Sequence, residues 1–259
     1  MSKNVIIIFR SITVEANGRY HMIDVHTHVL PGIDDGAKDW DICLKMLLLS
    51  VNSGIRVVIA TPHHTPWARG ASPTEIINLC KEAERKLLQE YKVEMRILPG
   101  NEIYYSTGTL EALKAGTAMT LAESQYVLIE FEDQASFSTV YRAVRELRDG
   151  GYIPILAHIE RYQCMYKEEN MSRLKKGGAL FQMNVEALRG GIFDRRSRWA
   201  KRCIQKGLID FVASDMHNLT TRAPFQQRDL EWLCNKIQPE NHEDLLHENG
   251  EKILKHMAK

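Results

Sequence analysis

The sequence predicts an α/β fold in which seven parallel strands alternate with helices and close into a distorted (β/α)7 barrel, one unit short of the usual eight. Three observations predict it. Seven short β-rich runs recur at intervals of roughly 25 to 40 residues, the spacing of strand–helix units. Most are continuously apolar, as strands covered by helices on both faces are. Nearly every run ends in a His, Glu or Asp, and parallel strands deliver such ends to one face. A doubly wound open sheet is the alternative, disfavoured because no Gly-x-Gly-x-x-Gly follows an early strand.

The expected strands are Met22–His26, Arg56–Thr61, Glu94–Leu98, Tyr126–Phe131, Ile153–His158, Ala179–Asn184 and Asp210–Ser214. Between them, Asp41–Asn52 carries apolar residues at helical spacing and stops before Gly54. Pro73–Gln89 opens with Ser72 as N-cap, Pro73 at the first position and Glu75 three residues after the cap. Phe137–Arg148 stops at Gly150-Gly151, Trp199–Lys206 stops at Gly207, and Asn241–Met257 is a closing helix. Residues 1–21 are expected to be an extension outside the core, and residues 22–259 a single catalytic domain. The apolar run at Val5–Phe9 is too short for a signal sequence, and no run reaches the ~20 residues of a membrane span.

Composition excludes several classes. The chain has 259 residues, 44% of them hydrophobic and 26% charged, with a net charge of +1. That balance offers no case for a nucleic-acid partner or for membrane insertion. The five cysteines, Cys43, Cys80, Cys164, Cys203 and Cys234, are odd in number and scattered, which fits a reduced cytoplasmic setting. None begins the Cys-x5-Arg loop of thiol-based tyrosine phosphatases; Cys80 comes nearest, with Arg85 one residue short and mid-helix. All five are expected to be packing residues.

The chemistry gathers at the strand ends. His26 and His28 close the first strand, and residues i and i+2 of a strand point to one side. Asp35, His63, Glu102, Glu130, His158, Asp215 and His217 follow other strands. One strand-end histidine alone is more often a hydrogen-bonded core residue, and one carboxylate could cap a helix. Jointly, those readings would leave most strands ending in buried ionisable groups without partners, at high cost. Metal binding explains the set. Nine donors exceed the four to six of one ion, so two or three divalent ions are expected, with Mn, Fe, Zn or Mg suited to imidazoles and hard carboxylates. Such a cluster activates water for in-line attack on phosphorus. Arg161 and Arg222 lie on loops at the same face, and the guanidinium fork matches phosphate oxygens, which points to a phosphoester substrate.

Met22-Ile-Asp-Val-His-Thr-His-Val-Leu-Pro-Gly-Ile-Asp-Asp-Gly36, Ala60-Thr-Pro-His-His64, Gly100-Asn-Glu-Ile-Tyr104, Leu128-Ile-Glu-Phe131, Ala157-His-Ile-Glu-Arg-Tyr162 and Ala213-Ser-Asp-Met-His-Asn218 occur in this order. Together they resemble the polymerase and histidinol phosphatase (PHP) superfamily, and within it the bacterial manganese-dependent protein tyrosine phosphatases of capsule and exopolysaccharide synthesis. The resemblance runs from Met22 to the C-terminus. It implies a distorted seven-stranded barrel with a trinuclear site. His26, His28, Glu102 and Asp215 would hold one ion, Glu102, Glu130 and His158 a second, and Asp35, His63 and His217 a third. Asp34 is the alternative to Asp35, and Asn184 takes no role. Arg161 and Arg222 would bind phosphate. The implied reaction is hydrolysis of phosphotyrosine on a protein, the tail of a bacterial tyrosine kinase. A small-molecule phosphoesterase such as a histidinol phosphatase, and a metal-dependent amidohydrolase, are the alternatives.

Overall fold

Alternation along the strands sorts their side chains into two apolar layers. Val57 and Ile59 face one layer with Val25, Leu128, Ile155 and Phe211, while Val58, Val127, Ile129, Leu156 and Val212 face the helices. The computed structural model describes residues 22–68, 70–191, 193–238 and 243–256. The expected extension over residues 1–21 lies outside them.

Among the described residues nine strands form: β1 (Met22–Thr27), β2 (Ile55–Ala60), β3 (His63–His64), β4 (Arg96–Pro99), β5 (Glu102–Tyr104), β6 (Tyr126–Glu130), β7 (Ile153–Leu156), β8 (Leu180–Asn184) and β9 (Phe211–Ala213). They pair in parallel in two sheets, β1-β2-β4 and β3-β5-β6-β7-β8-β9. The chain after β9 returns to β1: Thr27 bridges Met216, Asp215 N donates to His26 O at 2.9 Å, and His28 N donates to Met216 O at 3.0 Å. The result is a curled parallel sheet.

The strands expected at Arg56–Thr61 and Glu94–Leu98 form as β2 and β4, but each is followed by a short strand, β3 and β5, that was not expected. Thr61-Pro62 separates β2 from β3, where the proline has no N–H for a ladder. Gly100-Asn101 separates β4 from β5; a Cβ on Gly100 would sit 3.0 Å from the Leu121 side chain. Asn101 stitches the breaks, its Nδ2 donating to Pro62 O and its Oδ1 accepting from Met119 N.

Helices cover the outer layer: α1 (Trp40–Asn52), α2 (Pro73–Lys86), α3 (Thr109–Ala115), α4 (Phe137–Asp149), α5 (Glu168–Lys176), α6 (Arg195–Gln205), α7 (Gln227–Lys236) and α8 (Asn249–Lys255). Ser72 caps α2 as expected, accepting from Glu75 N. The α2 run then widens into a π-turn at Leu87–Tyr91 instead of continuing as α-helix. The expected closing helix is a π-turn, Asp244–Glu248, followed by α8; its outer ends fall outside the described residues. The expectation for α6 began four residues late, because Asp194 caps a wholly polar first turn that apolar periodicity does not mark. Helices α3, α5 and α7 were not expected from the sequence. They are short, and each buries at most two apolar side chains, too few to mark a stripe in the sequence.

All five cysteines are free, and Cys43, Cys80 and Cys203 are buried. Burial pushes those three thiols up to about 12, so they pack, as expected, and hold their protons. Among the described residues no helix is long and apolar enough to cross a membrane.

Candidate metal centre

The inner face of the curled sheet turns polar where its strands end. Glu130 lies two residues past Leu128, and Glu102 alternates with the helix-facing Ile103. His26 and His28 emerge from β1 with side chains essentially sealed from solvent. The loop after β7 presents His158 at φ +30°, and that after β9 presents Asp215 at φ +50°. Left-handed backbone at non-glycine residues costs energy and persists where surrounding structure imposes it. Here it accompanies side chains turned into the centre.

His26 and His28 show what the site accommodates. Nδ1 of His26 faces Gln182 Oε1 at 3.1 Å, and Nδ1 of His28 faces Asp34 Oδ2 at 2.7 Å. Each Nδ1 therefore carries a proton toward an acceptor, leaving lone pairs on both Nε2 atoms. Those atoms are 3.2 Å apart. Two lone pairs at that distance repel unless an extra proton or a cation lies between them. In the polypeptide by itself His28 favours its protonated form: burial opposes the charge, but Asp34 and Glu102 overcome it and push the imidazole up to about 10. A divalent ion competes for the same position.

Glu102 stands at the centre. Its Oε2 lies 3.2 Å from His26 Nε2, 3.1 Å from His28 Nε2 and 3.2 Å from His63 Nδ1, yet it is buried and makes no hydrogen bond. Its Oε1 is 2.8 Å from His158 Nε2, which is also 3.3 Å from Glu130 Oε1. Burial opposes the Glu102 charge, but the imidazoles around it hold the carboxyl well below the usual range. An ionised, enclosed, unbonded oxygen ringed by imidazoles fits a shared metal ligand.

Eight of the nine sequence-predicted donors fall into groups that could hold an ion, and the ninth, His158, contacts two of them, Glu102 and Glu130. Three groups have ligand atoms within 4.8 Å of one another: His26, His28, Glu102 and Asp215; His63, Glu102 and Glu130; and His28, Asp35, His63 and His217. The first matches the grouping implied by the resemblance. In the second, His63 takes the place expected of His158, which bonds the two carboxylates from the side. In the third, His28 joins the expected trio. Asp35 belongs to the cluster, whereas Asp34 orients His28 and accepts from Gly36 N. Gly36 is required here, since a Cβ would lie 2.0 Å from His28 O.

Arg161 and Arg222 meet at Asp215. Arg161 donates to its Oδ2 at 2.8 Å, and Arg222 to both oxygens at 2.8 Å. Both arginines remain about one-quarter exposed, so their outer edges face the mouth of the centre. Burial opposes the Asp215 charge, but His26 and His28 are among the groups that hold its carboxyl well below the usual carboxylate range.

Gln182 was missed at the sequence level, and Asn184 was noted there without a role. Gln182 and Asn184 alternate with the helix-facing Phe181 and Met183, so both point inward. Gln182 Oε1 also accepts from His158 N at 2.7 Å, its Nε2 donates to Asn184 Oδ1, and Asn184 Nδ2 donates to Asp215 Oδ2 at 2.6 Å. One buried amide chain thereby orients His26 and Asp215 together. The available signal was two amides at i and i+2 within a β8 run that otherwise reads as apolar core.

Fold and centre define a class: an α/β protein with clustered metal-type donors at the C-terminal ends of a curled parallel sheet. The family model for capsular polysaccharide synthesis, CpsB/CapC, matches residues 22–255, and the chain belongs to that family. It is 32% identical over 244 residues to the tyrosine-protein phosphatase CpsB of Streptococcus agalactiae, covering 90% of this chain and 98% of that one. To the tyrosine-protein phosphatase YwqE of Bacillus subtilis it is 31% identical over 239 residues, covering 92% and 93%. A chain from the crystal structures of B. subtilis YwqE and Streptococcus pneumoniae CpsB, described as unique metal-dependent tyrosine phosphatases, aligns with TM-score 0.83 and 31% identity. That alignment covers 92% of this chain and 96% of the other.

Proposed function

We propose that this chain is a metal-dependent protein tyrosine phosphatase of polysaccharide synthesis, acting in the cytoplasm on the phosphorylated tail of a bacterial tyrosine kinase. The observation that carries the reading is the convergence of Arg161 and Arg222 on Asp215 at the mouth of the donor cluster. It sets two phosphate-matching forks beside a cation site. The activities of the CpsB and YwqE relatives support it.

His26, His28, Glu102 and Asp215 are assigned to one ion, Glu102, Glu130 and His158 to a second, and Asp35, His63 and His217 to a third. Two to three ions are expected, manganese first. Bound ions would supply positive charge for the phosphate oxygens and an activated water as nucleophile. The chain does the rest. Arg161 and Arg222 orient the phosphate, Gln182 and Asp34 hold the protons of His26 and His28 away from the centre, and the sealed walls exclude bulk water. Burial raises all five thiols, which leaves no cysteine suited to attack. In the same reading, residues 22–259 form one domain and β2/β3 and β4/β5 are interrupted single strands. The curled sheets then amount to a distorted seven-unit barrel.

The test offers a phosphotyrosine peptide and histidinol phosphate to the purified protein while Mn, Fe, Zn and Mg are titrated in. The expected result is metal-dependent release of phosphate from the peptide, abolished by chelator, with at least two ions bound per chain. Preference for histidinol phosphate, or full activity with less than one ion per chain, would overturn the reading.

A further inference from the structure

A groove of about 1410 Å³ opens beside the donor cluster, lined by α6, the end of α7 and the loop carrying Glu160 and Arg161. Its size exceeds the about 300–1,000 Å³ of small-molecule pockets. Seven cationic side chains line it against two carboxylates, Glu160 and Asp133. The chain as a whole carries only +1, so this charge is local to the groove.

The arrangement follows from α6. The helix buries Trp199, Ala200, Cys203 and Ile204 against the core and turns Arg195, Arg198 and Arg202 outward. Spaced i, i+3 and i+7, these three share one stripe, where like charges repel. Among the described residues, neither Arg195 and Arg198 nor Lys236 across the groove forms an ion pair. Two further cations are committed. Arg196 reaches the fully buried Glu160 at 3.3 Å, and Lys201 donates to Gly190 O at 3.0 Å. Glu160 in turn accepts from Asn184 N, and Asn184 holds Asp215. The groove wall and the donor cluster are thus one connected structure. Tyr166, stacked on Trp199 with centroids 4.5 Å apart, supplies a flat apolar wall.

We propose that this groove docks an acidic segment of the protein that presents the phosphotyrosine: the phosphate enters past Arg161, and flanking carboxylates lie along α6 and Lys236. The inference rests on the phosphatase reading and extends it to substrate selection. Continuity with Arg161 favours a peptide contiguous with the phosphotyrosine, and charge complementarity favours an acidic one.

The test compares two phosphotyrosine nonapeptides, flanked by Glu or by Gln, on the metal-loaded full chain, with p-nitrophenyl phosphate as a substrate lacking flanks. Wild type should prefer the Glu-flanked peptide roughly tenfold in kcat/KM, through KM, and the preference should shrink as salt rises. The Arg195→Glu/Arg198→Glu/Lys236→Glu variant should lose it while hydrolysing p-nitrophenyl phosphate within about twofold of wild type. Should the triple variant not fold, Arg198→Glu alone should reduce the preference. Equal kcat/KM for both peptides in wild type at low salt would overturn the proposal and leave α6 a solvated basic face. Binding of single-stranded DNA that is lost on charge reversal, with peptide selectivity unchanged, would also overturn it. Fluorescence anisotropy with a Glu-flanked peptide carrying Phe in place of phosphotyrosine reads docking without turnover. Binding there, with neither phosphopeptide hydrolysed, would sink the phosphatase reading and uphold the groove.

Discussion

Replacing Gln182 with Met keeps the volume of a fully buried side chain and removes every polar contact it makes. Three groups lose a partner: His26 Nδ1–H, His158 N–H and Asn184 Oδ1. An orphaned buried group costs ~1–3 kcal/mol, so the metal-free fold should lose roughly 3–6 kcal/mol after relaxation. That is a large share of the ~5–15 kcal/mol typical of a folded protein. The second effect is specific to the site. Without the acceptor at Nδ1, His26 is free to put its proton on Nε2, the nitrogen that faces His28 and Glu102. Removing such an orienting partner lowers metal affinity by ~10–100-fold. Isothermal titration with Mn²⁺ and metal analysis after dialysis measure it, and Gln182→Glu separates the two effects. The glutamate keeps an acceptor for His26 Nδ1–H and should hold metal near the wild-type level, although it too perturbs the fold by facing Asn184 Oδ1. If Gln182→Met binds metal as wild type does, the claim that β8 sets the His26 tautomer is wrong.

Other predictions follow from the same geometry. Arg161→Ala or Arg222→Ala should lower kcat/KM on phosphotyrosine peptide by roughly thirty- to a thousand-fold, the equivalent of ~2–4 kcal/mol for a charged forked contact. Metal content should persist, Lys should rescue only in part, and near-wild-type rates in both alanine variants would remove the phosphate-binding role. Replacing all five cysteines with Ser or Ala should leave turnover of the folded fraction largely intact; a single well-folded Cys→Ser variant that is dead would point back to thiol chemistry. Burial raises Asp24 from 3.8 to about 6, against the hydrogen bonds from Ser214 and His26 that lower it. Folding therefore favours its protonated form. The stability this gives is full below pH ~4 and is lost as pH rises through about 6, a change of ~3 kcal/mol. In chelator-treated protein, Asp24→Asn should gain on wild type in urea unfolding between pH 4 and 7. A difference that stays constant with pH would refute the assignment.

Strand-end chemistry was legible because it is local. A two-residue period puts His26 and His28 on one side, and parallel strands bring all their C-terminal ends to one face, so nine donors could be collected without knowing a distance. Strand positions were legible for the same reason, since an apolar run bounded by turn residues needs no partner to be seen. The short helices α3, α5 and α7 were not, because their stability comes from tertiary packing rather than from their own pattern.

By itself the sequence determined the donor types, their order along the chain, the two arginines that follow strand-end histidines and the lack of a Cys-x5-Arg loop. Tertiary structure decided which donors share an ion-sized space, that Asp35 faces the cluster while Asp34 turns His28, and that Asn184 belongs to the centre. It also decided that Arg161 and Arg222 meet on one carboxylate. Each of these turns on pairings between distant segments, such as Ser214 N with Asp24 Oδ1 across 190 residues. Side-chain period fixes a direction relative to a strand, whereas the distance between two strand ends depends on how the whole sheet curls.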